Sequence, residues 1–555
     1  MNTRLFRSLL LLLPLALLFS CKNTVQEKLP VVLWEGYDET SEIAEQQKHE
    51  MDRMKYKLIQ SKFLDKNEVF QKLYSEVANF SEERYQTLKP LILEKDIITL
   101  QKQIQNKVFT YEELTLFYLK RIYKYELNPE TSLHTIIALN PTIVKEARER
   151  DKHRSQNNHP IYGMPILLKD NISTTNMKTT AGAFVLKDNL PKKEAFIVGQ
   201  LKKNGALILG KVNLSEWAYY FCSGCPVGYS AIGGQTLNPY ARKVFESGGS
   251  SSGSGTSIAA NYAVAAVGTE TAGSILSPAS QNSLVGLKPT VGILSRSGIV
   301  PISHSLDTPG PMTKNIIDNA ILLDAMLGKD VADESSISWK LDYKTVANNS
   351  FLKGKRLGVI KGLLNDSIYS ETIKKLEANG AILIEFDPPK VGLPNFLTLL
   401  NLEMKEDLPK YISSYASENI EITDIPSVMS FNRKDSLQHM PYNQGIFDGI
   451  VADTTSVAGL EEVRAILLEN GKTFFQKPIK ENKLDAILSI NNYHAAFAAV
   501  ALHPCLTIPM GYKKSGEPIG ITFIASPYSE AKLYELGSAF ESLTKSRRIP
   551  EGYKD

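Results

Sequence analysis

Residues 247–255 read SGGSSSGSG, and the chain continues directly as TSIAANYAVAAVGTETAGSILSPAS over residues 256–280. A run of serine and glycine alone is typical of a flexible linker. The segment that follows it is rich in alanine, valine and isoleucine and is typical of a buried core. A linker has no evident reason to lie directly against a core, so residues 247–280 are the part of the sequence that any fold and function must explain.

The surrounding sequence alternates strand and helix patterns. Residues 110–113 form a capping box that predicts the start of a helix. GMPILLKDN (163–171) predicts a buried strand ending at Lys169, and an amphipathic helix over residues 196–203 precedes the next strand, ALILG (206–210). This strand–helix–strand order indicates an α/β fold with a largely parallel or mixed sheet and helices on its faces.

The composition is that of an ordinary globular protein with a large core. The chain has 555 residues, of which 43% are hydrophobic and 22% are charged. Its formal net charge is +3, and Arg4 and Arg7 near the N-terminus supply two of those charges. We therefore expect no nucleic-acid partner.

The N-terminus has the pattern of an export signal. A basic start, MNTRLFR, is followed by the apolar stretch LLLLLPLALLF, which is too short to span a membrane. The residues LFSC (18–21) resemble the bacterial lipobox, which implies that Cys21 is lipidated; a plain cleaved signal peptide is the alternative. Lys22 after the cysteine favours the outer membrane. The expected location is the bacterial cell envelope, lipid-anchored and facing the periplasm.

The patterns divide the chain into four segments, and residues 330–480 are too irregular to be given a boundary or site residues. The segments are a signal peptide at 1–20, a polar tether at 21–40, an N-terminal helical extension at 41–94 and the main domain at 95–550.

Cysteine usage favours no metal site. The pair Cys222 and Cys225 forms a C-x-x-C pattern, which in an oxidising compartment is compatible with a local disulfide or with two free thiols. A zinc site would need a second pair of ligands, and a redox site would need a thioredoxin-like context. Neither is visible.

Two familiar motifs compete for the Ser/Gly run. A phosphate-binding loop has its glycines at Gly248 and Gly253, but Ser254 stands where the lysine is required, which excludes it. A nucleophile elbow, G-x-S-x-G, matches residues 249–253 and would make Ser251 the nucleophile of an α/β-hydrolase-type esterase. That motif needs a buried strand directly before it and an acid and a histidine after it, and none of these is distinctive here.

A third interpretation uses serines and a lysine. A serine hydroxyl needs a base, and a lysine is a base only when it is uncharged. Burial lowers the pKa of lysine from about 10.4 toward neutrality. Lys169 ends an apolar strand and is a candidate for this base, although composition alone favours a salt bridge to Asp170 or another carboxylate. The turn through Ala272 and Gly273 into Ser274 could form an oxyanion hole or be a purely structural turn.

Four motifs in a fixed order resemble the amidase signature family, and together they are far more specific than any one of them. They are Lys169–Asn171 (KDN), Gly248–Ser254 (the family's GGSSGGS loop), Gly268–Ile275 (GT-[DE]-x-x-GSI) and Gly286–Thr290 (GLKPT). The similarity covers roughly residues 95–550. It implies an amidase-signature fold of the α/β class, a central mixed β-sheet flanked by helices, to which this chain adds an N-terminal helical extension.

The resemblance implies a Ser–cis-Ser–Lys triad. Lys169 would be the base, Ser250 the bridging group that follows a cis peptide bond, and Ser274 the nucleophile. In the family the glycines of the loop allow this close backbone approach. The oxyanion hole would consist of the backbone N–H groups of Thr271, Ala272, Gly273 and Ser274.

The implied reaction is hydrolysis of a linear amide or a C-terminal peptide amide through an acyl-serine, without a metal or organic cofactor. The sequence GTET and the match over residues 295–312 are closer to the peptide-amidase and general amidase branch than to the tRNA-dependent amidotransferases. The expected partners are an amide substrate and, through the lipid anchor, a membrane. An inactive amide-binding envelope lipoprotein is an alternative. The sequence does not determine the acyl and amine specificity or the oligomeric state.

Three positions depart from the family pattern. Ser252 replaces the first glycine after the serine pair, Glu270 replaces the commoner aspartate, and Leu276 stands where many members carry arginine. The C-x-x-C pair lies just before a Gly-Gly-Gln segment where pocket residues are expected, so it is a candidate for shaping specificity.

Overall fold

A computed structural model of the chain describes residues 33–155, 157–348 and 351–555. The predicted signal peptide, Cys21 and residues 21–32 of the predicted tether lie outside the described residues.

The strands of the described residues form one large sheet and one small hairpin. They are β1 (Ile136–Leu139), β2 (Pro165–Lys169), β3 (Leu207–Val212), β4 (Tyr229–Ser230), β5 (Gly234–Gln235), β6 (Ala265–Glu270), β7 (Val285–Lys288), β8 (Thr308–Thr313), β9 (Arg356–Ile360), β10 (Ile382–Phe386), β11 (Ala486–Ile490), β12 (Cys505–Tyr512) and β13 (Pro518–Ile524).

The large sheet has 11 strands in the order β1-β3-β2-β6-β8-β7-β12-β13-β11-β9-β10, and β4 pairs with β5. Strand β2 runs parallel to both β3 and β6, and β9 runs parallel to β10 and β11. The strands from β6 through β13 to β11 pair antiparallel. The predicted mixed sheet is therefore confirmed.

Helices cover the sheet and extend from both ends of the domain. They are α1 (Thr40–Gln46), α2 (Lys66–Gln71), α3 (Tyr74–Asn79), α4 (Glu82–Ile92), α5 (Ile97–Gln105), α6 (Tyr111–Glu126), α7 (Ile143–Lys152), α8 (Phe196–Lys203), α9 (Ser252–Ala259), α10 (Leu276–Gln281), α11 (Ile316–Met326), α12 (Tyr343–Asn348), α13 (Ser367–Ala378), α14 (Phe396–Tyr415), α15 (Ile425–Asn432), α16 (Ser436–His439), α17 (Gly445–Ala452), α18 (Val457–Gly471), α19 (Lys477–Glu481), α20 (Ala495–Val500) and α21 (Glu530–Thr544). Among these, none has the length and apolar character needed to cross a membrane.

The local patterns explain the elements that position the site. Every side chain of β2 is buried, and the strand ends at Lys169 as predicted. Helix α8 has the predicted bounds. Helix α6 follows a capping box in which the Glu113 N–H donates to Thr110 Oγ1 (3.1 Å) and the Thr110 N–H donates to Glu113 Oε2 (3.0 Å).

The N-terminal segment packs on the main domain. Its helices α1 to α4 are short, and the residues between them contact the β4–β5 hairpin: Ser61 Oγ donates to the Ile232 carbonyl (2.6 Å), and the Gln235 N–H donates to the Ile59 carbonyl (2.9 Å). The described end of the predicted tether, residues 33–40, contacts the N-terminal segment, because the Trp34 N–H donates to Oδ1 of Asn67 in α2 (2.9 Å).

The segment that the sequence could not assign divides into two parts. Strands β9 and β10 with helix α13 extend the edge of the large sheet. Helices α14, α15, α17 and α18 enclose a second apolar core, in which Met404, Phe447 and Leu467 pack with Trp217 and Phe221. This helical layer forms one wall of the cavity described below.

Candidate active site

The Ser/Gly run is a crowded loop rather than a linker. Of residues 247–259, all but Gly249 are buried. A Cβ at Gly248 would lie 2.6 Å from the Cα of Pro278, and one at Gly253 would lie 2.5 Å from the Asn213 carbonyl oxygen. Other backbone segments therefore pass too close for side chains at these positions, which explains why a flexible-looking sequence lies against the core.

Two serines from separate segments are brought together by this loop. The Gly249–Ser250 peptide bond is cis. The Ser250 carbonyl accepts a hydrogen bond from the Ser215 N–H (3.0 Å), and the next residue, Ser251, donates its N–H to the Ser274 carbonyl (3.1 Å). The loop that carries Ser250 is thus fastened directly to the turn that carries Ser274.

Lys169 reaches the same loop from the end of β2. Its side chain is fully buried. The Nζ atom lies 2.7 Å from Ser250 Oγ, 2.8 Å from Thr269 Oγ1 and 3.1 Å from the Thr269 carbonyl oxygen. An uncharged amine in this position can accept the Ser250 proton while its own hydrogens remain bonded to Thr269.

Electrostatics favour that uncharged form. Burial lowers the pKa of Lys169 from 10.5 to about 7, and the charges of Asp307 and Glu270 oppose the shift. Among the described residues, no carboxylate forms an ion pair with Lys169. Asp170, the alternative partner, instead contacts Lys211, with 3.1 Å between Oδ1 and Nζ. Lys169 is therefore close to half deprotonated at neutral pH.

Ser274 lies in a turn between β6 and α10 that a buried carboxylate holds in place. Glu270 Oε2 accepts the N–H groups of Ile275 (2.7 Å) and Leu276 (3.0 Å). Burial raises the pKa of Glu270, and hydrogen bonds from the N–H groups of Leu276, Ile275 and Gly273 oppose the shift. The Ser274 hydroxyl is partly exposed and has no hydrogen-bond partner among the described residues, so it is available to a substrate.

A cavity of about 640 Å³ opens beside this turn. Asn171, Thr269 and Thr271 line it on the side of the turn, and residues 296–304, residues 307–309 and part of α14 line it elsewhere. The Thr271 hydroxyl donates to Asp307 Oδ1 (2.5 Å), which fixes the start of the Ser274 turn. Most lining residues are polar or charged, so the cavity suits a polar substrate.

Several charged groups of the cavity are paired with one another. Arg296 binds Asp333, and His304 Nδ1 lies 2.9 Å from Asp407 Oδ2. Desolvation raises the pKa of Asp307 to about 6, while the Thr271 hydroxyl opposes the shift. Asp307 therefore carries much of its negative charge at neutral pH. That charge opposes the lowering of the Lys169 pKa.

The esterase alternative finds no support in the geometry. Ser251 Oγ donates to the Thr269 carbonyl (3.0 Å) and accepts the Thr269 N–H (3.2 Å), so its hydroxyl is occupied by backbone. The downstream histidines have other neighbours: His304 binds Asp407, His439 stacks on Phe184, His494 contacts Ser489, and His503 contacts the Ala525 carbonyl.

Cys222 and Cys225 are joined by a disulfide, with their Cα atoms 5.9 Å apart. Their loop contacts the helical layer, because Asn443 bonds both the N–H and the carbonyl of Ser223. Cys505 is buried and free. Within the described residues, no group of three or more His, Cys, Asp and Glu side chains is placed to hold a metal ion.

With this geometry established, the comparison with known proteins is direct. Residues 113–497, which are most of the chain, match the sequence profile of the family named Amidase. The chain belongs to the amidase family. It is accordingly a carbon–nitrogen hydrolase that acts on amide bonds. An Arabidopsis thaliana protein described as a probable amidase is 36% identical over 481 residues, which are 83% of this chain and 92% of that protein.

Solved amidase structures share the fold. An amidase family protein from Bacillus anthracis superposes with a TM-score of 0.84 at 36% identity, over 89% of this chain and 99% of that chain. The native peptide amidase from Stenotrophomonas maltophilia gives a TM-score of 0.78 at 35% identity, over 83% and 99% of the respective chains. The predicted amidase-signature fold is therefore confirmed.

Some residues of this amidase site were not singled out from the sequence. Thr269 contacts Lys169 twice, and its place on β6 next to β2 was the available signal. Asp307 lies in a segment that carried the family resemblance, but no pattern assigned it a role. Asn492, which lies against Gly273, belongs to no motif at all.

Proposed function

We propose that this amidase hydrolyses linear amides, including the carboxamide at the end of a peptide, through an acyl intermediate on Ser274. The observation that carries the proposal is the 2.7 Å contact between Ser250 Oγ and a buried Lys169 amine whose pKa is about 7. A serine bonded to an uncharged lysine is an activated hydroxyl. The hydrogen bond from the Ser251 N–H to the Ser274 carbonyl supports the role of Ser274, because it ties the turn that carries this serine to the loop that carries Ser250.

The acylation step moves two protons. Lys169 accepts the proton of Ser250, Ser250 accepts that of Ser274, and the Ser274 oxygen bonds to the amide carbon. The negative charge on the former carbonyl oxygen is received by backbone N–H groups of the turn, where loss of one donor typically costs about 3–4 kcal/mol. The predicted donors are those of Thr271, Ala272, Gly273 and Ser274; of these, the Gly273 N–H already hydrogen-bonds the Glu270 carboxylate in this structure.

Collapse of the intermediate breaks the C–N bond. Ser250 returns a proton to the departing nitrogen, so ammonia or an amine leaves uncharged, and Lys169 reprotonates Ser250. Water then repeats the sequence: it attacks the ester of Ser274, and its proton returns through Ser250 to restore the serine. The relay begins and ends with Lys169 uncharged.

This mechanism predicts the sign of the pH dependence. The active lysine is unprotonated, so kcat/KM rises with pH through a pKa of about 7 and falls about tenfold for each unit below it. The polar cavity and the similarity to the Stenotrophomonas maltophilia peptide amidase support a peptide-like substrate.

Covalent labelling tests the assignment. A fluorophosphonate probe should label the wild-type protein and Ser251→Ala but not Ser274→Ala, and ammonia release should follow the same order. Labelling that persists in Ser274→Ala and disappears in Ser251→Ala would establish the esterase alternative. If the probe labels neither the wild type nor a variant, and no ammonia is released from aliphatic, aryl or C-terminal peptide amides, the chain is an inactive amide-binding protein.

We also propose that the chain is exported and anchored by a lipid on Cys21, facing the periplasm from the outer membrane. Support comes from the basic start, the short apolar stretch and the LFSC sequence. Metabolic labelling with a fatty-acid analogue should mark the wild-type chain and not Cys21→Ser. Equal labelling of both, or recovery of the wild type in the periplasmic extract without lipid, would refute the anchor.

A further inference from the structure

The turn after β11 carries a side-chain amide that forms no hydrogen bond with the part of the chain that the structure describes. A Cβ placed at Gly273 would lie 2.9 Å from Asn492 Nδ2 and 3.4 Å from Asn492 Cβ, so Asn492 lies against the residue that precedes Ser274. Its side chain is half-buried, and its amide has no hydrogen-bond partner among the described residues. A carboxamide offers two N–H donors and a carbonyl acceptor, so Asn492 presents both kinds of hydrogen-bonding group beside the turn that carries Ser274.

The turn that presents Asn492 is held firmly. Gly520 and Asn491 exchange hydrogen bonds: the Asn491 N–H donates to the Gly520 carbonyl (3.0 Å), and the Gly520 N–H donates to Asn491 Oδ1 (2.8 Å). The Thr522 hydroxyl donates to the Asn491 carbonyl. The Asn492 carbonyl accepts the Ala495 N–H (3.0 Å) at the start of α20. The unpaired amide is thus pre-positioned, as a recognition group must be.

We propose that Asn492 selects substrates with a second amide group next to the scissile carboxamide, as in N-acyl amino acid amides and C-terminal peptide amides. The inference rests on the proposed function, with Ser274 as the attacking residue. A peptide group presents one N–H and one carbonyl, and the Asn492 carboxamide can pair with both. In such a substrate the peptide group lies one residue, about 3.8 Å, from the attacked carbonyl. Asn492 lies against Gly273, the residue that precedes Ser274.

A simple alkyl amide would leave Asn492 without a partner. A site built to bond a polar group discriminates against the analogue that lacks it, because its own polar atoms then stay unpaired. One or two neutral hydrogen bonds correspond to about a tenfold change in kcat/KM.

A matched pair of substrates tests the inference. N-acetyl-L-leucinamide and 4-methylpentanamide share the scissile carboxamide and the branched side chain, and only the first carries the extra amide. The wild-type enzyme should prefer the first. Asn492→Ala and the similarly sized Asn492→Leu should lower kcat/KM for N-acetyl-L-leucinamide about tenfold and leave that for 4-methylpentanamide within about twofold. Asn470→Ala, a surface asparagine of α18, should change neither.

The outcomes separate this inference from the proposed function. Hydrolysis of both substrates by the wild type with equal efficiency would overturn the role of Asn492, and this result does not depend on how the variants fold. An equal loss for both substrates in Asn492→Leu, at unchanged Tm and fluorophosphonate labelling, would overturn it as well. Failure of the wild type to release ammonia from any amide would instead refute the proposed function.

Discussion

Replacement of Lys169 by methionine should separate activity from stability. The lysine pKa is 10.5 when exposed and about 7 in the fold, so at pH 7 burial opposes folding by about 4 kcal/mol. Methionine has a similar shape and carries no such penalty. It loses the three contacts to Ser250 and Thr269, worth about 1 kcal/mol each. The variant should be at least as stable as the wild type at pH 7, while hydrolysis falls at least 100-fold.

The pH dependence of the stability difference is the sharper measurement. Between pH 7 and 10.5 the unfolded wild type binds more protons than the folded wild type, because the folded pKa of Lys169 is depressed. Wild-type stability therefore rises with pH over this range relative to the variant. From pH 7 to pH 9.5 the free energy of unfolding of the wild type should rise by about 3 kcal/mol relative to that of Lys169→Met. Other groups titrate in both proteins, and their effects cancel in the difference.

Urea unfolding followed by the fluorescence of the three tryptophans gives the difference at each pH. Lys211→Met is the matched control, because Lys211 is equally buried but contacts Asp170. Removing that lysine leaves a buried carboxylate unpaired and should destabilise the fold by about 3–5 kcal/mol. A Lys169→Met difference that does not change with pH would refute the depressed pKa, and retained ammonia release would refute the mechanism.

Three further substitutions probe the groups around the relay. Thr269→Val removes a hydroxyl bonded to Lys169 and should lower kcat/KM for ammonia release about tenfold; an unchanged value would show that the contact is dispensable. Glu270→Leu leaves the turn N–H groups without an acceptor and should lower kcat about 100-fold, whereas Glu270→Gln should retain most activity. Equal losses in both would mean that charge, not hydrogen bonding, matters. Gly273→Ala meets Asn492 at 2.9 Å with φ +105°, so its Tm should fall; unaltered melting would contradict the crowding.

The elements that the sequence predicts well are those decided by local periodicity. A continuous apolar run predicts strand β2, and apolar residues that recur with a period of 3.6 predict helix α8. Helix α9 begins at Ser252, inside the Ser/Gly run whose composition is typical of a linker, because packing overrides the poor helix propensity of serine and glycine. Strand β10 lies at the edge of the sheet, and all its residues are partly or fully exposed. Its sequence therefore shows no buried pattern. The helical layer depends on contacts with residues near Trp217, far away in sequence.

The site divides in the same way. The order of the motifs predicted Lys169, Ser250 and Ser274, and the structure brings the first two into contact and the third onto the adjoining turn. The state of the lysine could not be predicted, because it depends on how completely the fold excludes water. The roles of Thr269 and Asn492 could not be predicted, because the role of a threonine or an asparagine depends on its neighbours in space.

The fold also determines which of two buried lysines remains a base. Lys169 and Lys211 stand on the neighbouring strands β2 and β3, and both are fully buried with lowered pKa values. One buried carboxylate, Asp170, follows Lys169 directly. An ion pair between the two side chains would keep Lys169 in its charged form. Instead Asp170 turns to Lys211, where its charge opposes the lowering of the lysine pKa. Lys169 is left with two hydroxyls and a carbonyl as partners, which tolerate an uncharged amine. The Asp170–Lys211 contact is therefore a condition of the chemistry, because it gives the buried charge of Asp170 a partner other than Lys169.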